Sequence, residues 1–231
     1  MGSKNRIAKH ILPIMLAEAK RLGYTTWVEP FVGGGNMIDK VPPSFKRIGI
    51  DSNPHTIQAL IGIRDFVAEL PTDVSEDYYR SIKKTPPDPI SSWVRFECSF
   101  GAKFENGFAR NNLGTNYAKC GVNLATKQSP LLQGVELISG DYQKCNHITR
   151  CIIYCDPPYE GTTSYKTGAF DHEKFWNWCR MMSQYNTVFV SEYNAPSDFT
   201  CIWEGEVKTN FASKRTSATH NATEKLFTIK K

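Results

Sequence analysis

Residues 151–159 read Cys-Ile-Ile-Tyr-Cys-Asp-Pro-Pro-Tyr, and they carry the clearest indication of the fold. The first five form an apolar run of the length and composition typical of a buried β-strand. The run stops at an acid, two prolines and an aromatic residue. Because proline donates no N–H and fixes φ, the segment after the strand is stiff and its carbonyl oxygens are free to accept hydrogen bonds. In open α/β sheets, ligands bind at the carboxyl ends of the strands.

Residues 156–159 therefore combine rigid hydrogen-bond acceptors with a ring that can stack. This combination suits an exocyclic amine on a flat base, as enzymes that modify flipped-out bases require. An ordinary turn at the end of a strand is the alternative interpretation.

The composition limits the domain count and the class of partner. The chain has 231 residues, of which 40% are apolar, enough for one good core and a small additional lobe. The net charge of +5 indicates nucleic-acid binding only weakly, because many ordinary proteins have similar values. Seven scattered cysteines without a C-x-x-C pair indicate reduced thiols in the cytosol. Cys151 and Cys155 would point to one face of their strand and fill the core, with metal binding as the weaker alternative.

No stretch approaches the roughly 20 apolar residues that a membrane span requires, so we expect no membrane contact. The N-terminus imitates an export signal, with basic residues before the apolar segment 11–17. However, Ile7, Ile11, Ile14 and Met15 follow helical spacing, and charged residues come directly afterwards. An amphipathic helix is therefore the better prediction.

Other segments alternate between strand and helix patterns. Pro54 opens a helical stretch, and Asp171 is a plausible N-cap of another. Strands are predicted at 26–30, 47–51, 135–138, 151–155 and 186–191, with a late antiparallel pair at one edge near 201–207 and 225–229. This order predicts an α/β protein with a doubly wound, Rossmann-like parallel sheet.

The middle of the chain interrupts this alternation. Residues 101–128 contain four glycines and five asparagines, and so long an irregular stretch is usually functional or disordered. Interleaved aromatic residues argue against disorder. We predict an inserted lobe at 61–134 with a basic, asparagine-rich surface, and a core made of residues 1–60 and 135–231.

Acidic residues lie at or just after the ends of four of the strands, namely Glu29, Asp51, Asp141 and Asp156. In a parallel sheet these ends lie along one edge, so the acids should converge there. The glycines at 33–35 would let a ligand approach the backbone, and an acid ending the second strand can accept from two ribose hydroxyls. The glycine turn lacks the Lys-Ser/Thr of a P-loop and the spacing of a dinucleotide-binding loop. The pattern therefore indicates a nucleoside-like ligand.

Taken in order, these motifs resemble those of the Dam-type (alpha-group) adenine DNA methyltransferases. More closely, they are similar to the short adenine methylases of bacteriophages and prophages. Segments 28–35 (VEPFVGGG), 51–53 (DSN), 140–142 (GDY) and 154–159 (YCDPPY) carry the resemblance, which covers nearly the whole chain. Gly2-Ser3-Lys4 resembles the glycine-lysine motif that helps to enclose the methionine part of the cofactor in this family.

The resemblance implies an S-adenosylmethionine-dependent methyltransferase that acts on N6 of adenine in DNA. The catalytic residues that it implies are Asp156, Pro157, Pro158 and Tyr159. The Asp156 carboxylate and the Pro157 carbonyl would accept from the target amine, and Tyr159 would stack on the flipped base. The cofactor-binding residues that it implies are Lys4, Glu29, Pro30, Phe31, Gly33, Gly34, Gly35, Asp51, Asp141, Tyr142 and Asp156.

The resemblance implies that residues 1–60 and 135–231 are the S-adenosylmethionine-binding catalytic core and that 61–134 is the target-recognition lobe. The partner that it implies is double-stranded DNA. Basic residues of the lobe and of a late loop are the candidates for phosphate contacts: Lys103, Arg110, Lys119, Lys127, Lys214 and Arg215. We expect no metal, a monomer or weak dimer, and a location in the cytoplasm of a bacterium or a phage-infected cell. A phage or restriction-modification context follows from the resemblance alone.

Several alternatives stay open at this point. Asp51 could cap the following helix, Asp141 could serve a turn, Lys4 and Glu29 could be structural, and the basic residues could form only a solubilising face. At the level of the whole chain, the substrate could be the exocyclic amine of cytosine in DNA or of adenine in RNA. A non-catalytic nucleic-acid-binding relative with the same fold is the remaining alternative.

Overall fold

The computed structural model describes residues 4–159, 170–208 and 221–229. Its strands are β1 (Thr26–Glu29), β2 (Lys46–Asp51), β3 (Val135–Ser139), β4 (Ile152–Cys155), β5 (Thr187–Glu192), β6 (Phe199–Lys208) and β7 (Asn221–Ile229). They form one seven-stranded sheet in the order β3-β2-β1-β4-β5-β7-β6. The first five are parallel, and β7 is antiparallel to both β5 and β6. The predicted late antiparallel pair at one edge of the sheet is confirmed.

The helices of eight residues or more are α1 (Asn5–Leu22), α2 (Pro54–Asp65), α4 (Pro89–Glu97), α5 (Tyr117–Leu132) and α6 (His172–Met182), and α3 (Glu76–Ser81) is a shorter one. Pro54 stands at the first position of α2, where its missing N–H costs little. The Asp171 side chain caps α6 by accepting from the backbone N–H of Lys174 at 2.9 Å, as predicted. Among the residues described, no helix is both long and apolar enough to cross a membrane.

Apolar side chains project from both faces of the sheet because successive side chains of a strand point in opposite directions. Trp27 and Ile152 belong to a core that includes residues of α1, α2 and α5. Their neighbours Val28 and Ile153 belong to a second core that includes residues of α6. Helices therefore cover both faces of the sheet, and the predicted doubly wound α/β fold is confirmed.

The N-terminal segment folds as the predicted amphipathic helix. Ile7, Ile11 and Met15 of α1 are buried against the sheet. The Gly23 that follows α1 has a φ of 68°, the left-handed conformation in which helices commonly end. Cys151 and Cys155 are both buried in the second core and are free thiols, which confirms that they fill the core.

The middle of the chain is more regular than its glycine and asparagine content predicts. The prediction of irregular chain through Gln128 is wrong from Tyr117 onwards, because α5 begins there. The Asn116 side chain caps α5 by accepting from the backbone N–H of Lys119 at 2.8 Å. Apolar residues inside α5 then pack on α2 and α4, which stabilises the helix in spite of Gly121.

A third apolar core lies among the helices of the middle segment. Trp93 and Val94 of α4 pack there with Ala118 and Ala125 of α5 and with Ala59 of α2. Helices α2 and α5 also contribute to the core on the sheet, so they connect the two parts of the molecule. The division into a core and a lobe at 61–134 stays a prediction, and α2 crosses the first of these boundaries.

Candidate active site

The loop after β4 presents a partly exposed carboxylate at the edge of the sheet. The Asp156 side chain is 23% exposed, and one of its oxygens lies 3.3 Å from the Lys4 ammonium. Pro157 is buried, and Pro158 and Tyr159 are partly buried. Lys4 directly precedes α1. Its contact with Asp156 therefore places the start of α1 beside the end of β4.

A second carboxylate completes this cluster, and the sequence interpretation missed it. Glu224 of β7 lies 2.8 Å from the Lys4 ammonium and accepts a hydrogen bond from the Tyr159 hydroxyl at 2.7 Å. Lys4 also donates to the Tyr159 hydroxyl, and its nitrogen lies 4.5 Å from the centroid of that ring. The Tyr193 ring meets Tyr159 edge to face at 4.6 Å. Lys4 therefore covers part of the ring that is predicted to stack on the target base.

Burial and charge act in opposite directions on the ionisable groups of this cluster. Burial raises the pKa of Asp156, the Lys4 ammonium lowers it, and Glu224 raises it, so that the net direction is upward. For Lys4, burial lowers the pKa, but Asp156 and Glu224 together more than offset this effect. Since the net pKa of Lys4 is raised, its ammonium stays charged through the neutral range.

The glycine turn after β1 is tied to the end of β2. The Asp51 carboxylate accepts from the backbone N–H of Gly33 at 3.1 Å and from that of Asn53 at 2.9 Å. The Asn53 side chain, not Asp51, caps α2 by accepting from the backbone N–H of His55 at 3.0 Å. The helix-cap interpretation of Asp51 is therefore wrong. Asp51 is only partly exposed, and burial raises the pKa of its carboxyl.

Helix α5 contacts the glycine turn through the Gln128 side chain. The Gln128 side chain donates to the carbonyl oxygen of Gly34 at 2.9 Å and to the Asp39 carboxylate at 3.1 Å. Gly33 and Gly35 have φ values of 49° and 68°, which residues with a Cβ rarely adopt. The turn thus needs its glycines for backbone conformation, and Gln128 was not predicted because the contact spans 94 residues.

Aromatic rings lie beside the turn. The Phe31 ring stacks on the Tyr142 ring with centroids 5.5 Å apart, and the Trp178 ring meets Tyr142 edge to face at 5.0 Å. Burial raises the pKa of Tyr142 to about 12. Asp141 is exposed, and its carboxylate accepts from the backbone N–H of Gln143 at 3.0 Å. This contact is that of a turn aspartate, and a second role toward a cofactor stays a prediction.

Glu29 lies inside the protein at the end of β1. It is only 2% exposed and accepts from the Trp27 indole N–H at 2.8 Å. Burial raises its pKa well above the usual range. Pro30 is buried as well. The structural interpretation accounts for the observed contact of Glu29, and its predicted contact with a cofactor is untested.

The basic residues predicted to contact DNA are only partly within the described chain. Lys103, Arg110, Lys119 and Lys127 are exposed, and Arg110 forms an ion pair with Glu76 of α3. Lys214 and Arg215 lie outside the described residues. Contacts of these six residues with phosphates stay a prediction.

The side chains at this edge fit S-adenosylmethionine by their chemistry. Asp51 can accept from ribose hydroxyls, the partly exposed Phe31 ring can contact an adenine, and carboxylates favour a nearby sulfonium cation. Within the described ranges, no group of three or more His, Cys, Asp or Glu side chains has an arrangement that could hold a metal ion.

Comparison with known proteins adds one sequence match. A sequence model of the D12 class N6 adenine-specific DNA methyltransferases matches residues 1–87. This match supports the resemblance to Dam-type adenine methyltransferases, and with it S-adenosylmethionine-dependent methyl transfer. It includes Lys4, the glycine turn and Asp51, whereas Asp156 lies beyond it. No curated protein matches the chain.

Three solved structures are among those that this chain matches. A candidate RNA methyltransferase from Pyrococcus horikoshii is 10% identical, with a TM-score of 0.42 over 94% of this chain and 81% of that chain. A candidate methyltransferase from Escherichia coli is 9% identical, with a TM-score of 0.41 over 100% of this chain and 90% of that chain. A third candidate methyltransferase, complexed with SAH, is 10% identical, with a TM-score of 0.31 over 89% of this chain and 48% of that chain.

Proposed function

We propose that this protein transfers a methyl group from S-adenosylmethionine to the N6 amino group of adenine in double-stranded DNA. One observation carries the proposal. The acid-Pro-Pro-Tyr segment directly follows a buried parallel strand and presents a partly exposed carboxylate that is paired with Lys4. The contact between Gly33, after β1, and Asp51, at the end of β2, adds polar groups at the same edge of the sheet.

The proposed chemistry starts from a weak nucleophile. The lone pair of the adenine amino group is delocalised into the ring, so the enzyme must localise it. Asp156 and the Pro157 carbonyl would accept the two N–H bonds, which draws the nitrogen toward tetrahedral geometry. Preorganised acceptors of this kind are usually the largest contribution to catalysis, and in-line positioning supplies much of the rest.

The methyl group is transferred directly from the sulfonium sulfur to the amino nitrogen. As the methyl-donating substrate, S-adenosylmethionine supplies a methyl group on a sulfonium sulfur, which keeps the electron pair of the broken carbon–sulfur bond. The amino nitrogen forms the new bond to the methyl carbon and then releases one proton to solvent. No covalent enzyme intermediate is required. In agreement with this, Cys155, the cysteine next to Asp156, is buried and its pKa is raised well above the usual range by burial.

Base flipping would bring the adenine to this edge at a cost of a few kcal/mol. Stacking on an aromatic ring recovers about 1–3 kcal/mol per base. Tyr159, three residues after Asp156, and Tyr193, whose ring contacts that of Tyr159, are both partly buried. Since Lys4 covers part of the Tyr159 ring, stacking there requires the uncovered face of the ring or a shift of Lys4.

DNA is preferred over RNA on two grounds. The matching family model is of DNA methyltransferases, and the order of the motifs is that of the adenine-specific alpha group. The exposed basic residues of the lobe would contact phosphates, so binding should weaken strongly with salt. On this proposal the chain acts in the cytoplasm of a bacterium or a phage-infected cell.

The test measures both the methylated base and the nucleic acid. The full chain is incubated with isotopically labelled S-adenosylmethionine and duplex DNA or RNA of mixed sequence, and the products are digested to nucleosides for mass spectrometry. We expect labelled N6-methyladenine from DNA. Label only in cytosine, or only in RNA, would refute the adenine-DNA assignment.

Asp156→Ala separates catalysis from binding. The variant should lose methyl transfer, because it removes the carboxylate that accepts from the amine. Its affinity for S-adenosylmethionine, measured by calorimetry, should stay within a few-fold of that of the unaltered chain, since Asp51 and the aromatic rings remain. Unchanged turnover would refute the mechanism. DNA binding without any affinity for the cofactor in the unaltered chain would favour the non-catalytic alternative.

A further inference from the structure

Glu224 reaches the candidate active site because β7 is antiparallel. In the pairing of β5 with β7, Glu192 at the carboxyl end of β5 is opposite Lys225. Glu224 is the residue before Lys225, so it lies just beyond the segment paired with β5, at the edge where β4 also ends. Its side chain is 16% exposed and contacts both Lys4 and Tyr159.

The charges around Lys4 do not cancel. One ammonium lies 2.8 Å from Glu224 and 3.3 Å from Asp156. With both acids ionised, the cluster carries one net negative charge. Without Glu224, the ammonium would pair with Asp156 alone and neutralise it. A neutral pair is a poorer acceptor for an amine that becomes cationic as the new carbon–nitrogen bond forms.

The same carboxylate orients the aromatic ring beside Asp156. The Tyr159 hydroxyl donates to Glu224 at 2.7 Å, and this contact spans 65 residues of sequence. A hydrogen bond to a carboxylate is short and directional, so it fixes the position of the hydroxyl end of the ring. The edge-to-face contact with Tyr193 supports the ring from the end of β5.

We propose that Glu224 is a positioning residue for methyl transfer, which holds Lys4 and Tyr159 and leaves the Asp156 carboxylate available to the target amine. The inference rests on the proposed function. Glu224 acts through Lys4 and Tyr159, and it is assigned no contact with either substrate.

A change at Glu224 should also alter the pH dependence of the reaction. Within the described part of the chain, the ionisable groups that interact with Asp156 are Lys4 before α1, Glu224 on β7, Glu29 at the end of β1, Tyr154 and Cys155 on β4, and Tyr159 and Tyr193 in the flanking loops. Glu224 raises the pKa of Asp156 and Lys4 lowers it. Removing the Glu224 charge should therefore move the acid limb of the kcat profile to lower pH, because Asp156 then ionises more readily.

The experiment compares Glu224→Gln with the unaltered full chain on an adenine-containing DNA duplex. We expect kcat to fall 10- to 100-fold, the Kd for S-adenosylmethionine to change less than threefold, and the acid limb to move to lower pH. Glu224→Asp keeps the charge and should recover part of kcat, with an acid limb close to that of the unaltered chain. Glu204→Gln, at an exposed residue of the adjacent strand β6, is the matched control and should keep kcat unchanged.

Each outcome has a defined meaning. A Glu224→Gln variant with unaltered kcat, or with cofactor affinity reduced as much as kcat, would overturn the inference. If that variant does not fold, Glu224→Asp still provides the test, since an acid limb that moves while the charge is retained would contradict the electrostatic argument. Absence of methyl transfer by the unaltered chain on any nucleic acid would refute the proposed function itself, whereas an active chain with an active Glu224→Gln variant refutes only the role of Glu224.

Discussion

Arg95→Met should destabilise the protein more than any change to a surface ion pair. Arg95 is a residue of α4 that is only 4% exposed, and it pairs with Glu105 at 2.8 Å. Its guanidinium also donates to the carbonyl oxygens of Thr85 at 3.1 Å and Lys83 at 2.9 Å. It lies 4.7 Å from the centroid of the Phe104 ring. One side chain thus joins α4 to the segment before it and to the segment after it.

The expected loss follows from these contacts. Hydrogen bonds from a charged donor are worth about 1.5–3 kcal/mol each, and Arg95 makes two to backbone carbonyls. Removing one partner of a buried ion pair costs about 3–5 kcal/mol, and because the remaining Glu105 side chain is 24% exposed, the cost here lies at the lower end of that range. Methionine would keep a sulfur contact with Phe104, worth at most about 1.5 kcal/mol. We therefore expect the free energy of unfolding to fall by about 3 kcal/mol.

Equilibrium unfolding in urea, followed by tryptophan fluorescence and circular dichroism, measures this loss. The matched control is Arg80→Met, because the pair between Arg80 and Glu76 has the i,i+4 spacing and Arg80 is 68% exposed. Such a pair contributes about 0.3–0.5 kcal/mol. Cofactor affinity should change little, since Arg95 does not contact the residues at the strand ends. A loss below about 1 kcal/mol, or equal to that of the control, would show that the contacts of Arg95 do not stabilise the packing around α4.

Three further predictions concern the cofactor edge, the thiols and the helix packing. Asp51→Asn should weaken S-adenosylmethionine binding about 10-fold in calorimetry. Asn53→Ala should cost about 1 kcal/mol of stability as a lost helix cap and leave the affinity nearly unchanged. The reverse pattern would show that Asp51 does not contact the cofactor. A polar disulfide reagent at pH 8 should modify the exposed thiols of Cys120 and Cys201 rapidly, and more than two fast thiols would contradict the burial of the others. Burial raises the pKa of three of those others to about 12, namely Cys98, Cys145 and Cys151. Gly62→Ala should cost about 1–3 kcal/mol in thermal unfolding, because a Cβ on α2 would lie 2.7 Å from a backbone carbonyl of α4, and an unchanged melting temperature would refute this close packing.

The strands and their order along the chain could be predicted from the sequence because their signals are local. The apolar run 151–155 and the acid-Pro-Pro-Tyr segment after it specify a buried strand and a stiff loop without reference to other residues. The predicted helix cap at Asp171 is local in the same way, since the capping hydrogen bond spans three residues. Asp51 shows the limit of such reasoning, because Asn53, two residues later, competes for the same helix end and is the cap.

The helix α5 was missed because its glycine and its asparagine have low helix propensity, and the packing on α2 and α4 that stabilises it is not a local signal. Gln128 could not be assigned for a similar reason, since its contact with Gly34 depends on where α5 lies.

The sequence by itself determined which chemical groups this chain offers: an acid at the end of each of several strands, a glycine turn, and an acid-Pro-Pro-Tyr corner. Only the tertiary structure decided that Glu224 joins Lys4, Asp156 and Tyr159, because the contact between Lys4 and Glu224 spans 220 residues. A strand pattern does not specify the neighbours of a strand or its direction in the sheet. Insertion of β7 between β5 and β6, antiparallel to both, is what carries this acid to the edge where β4 ends.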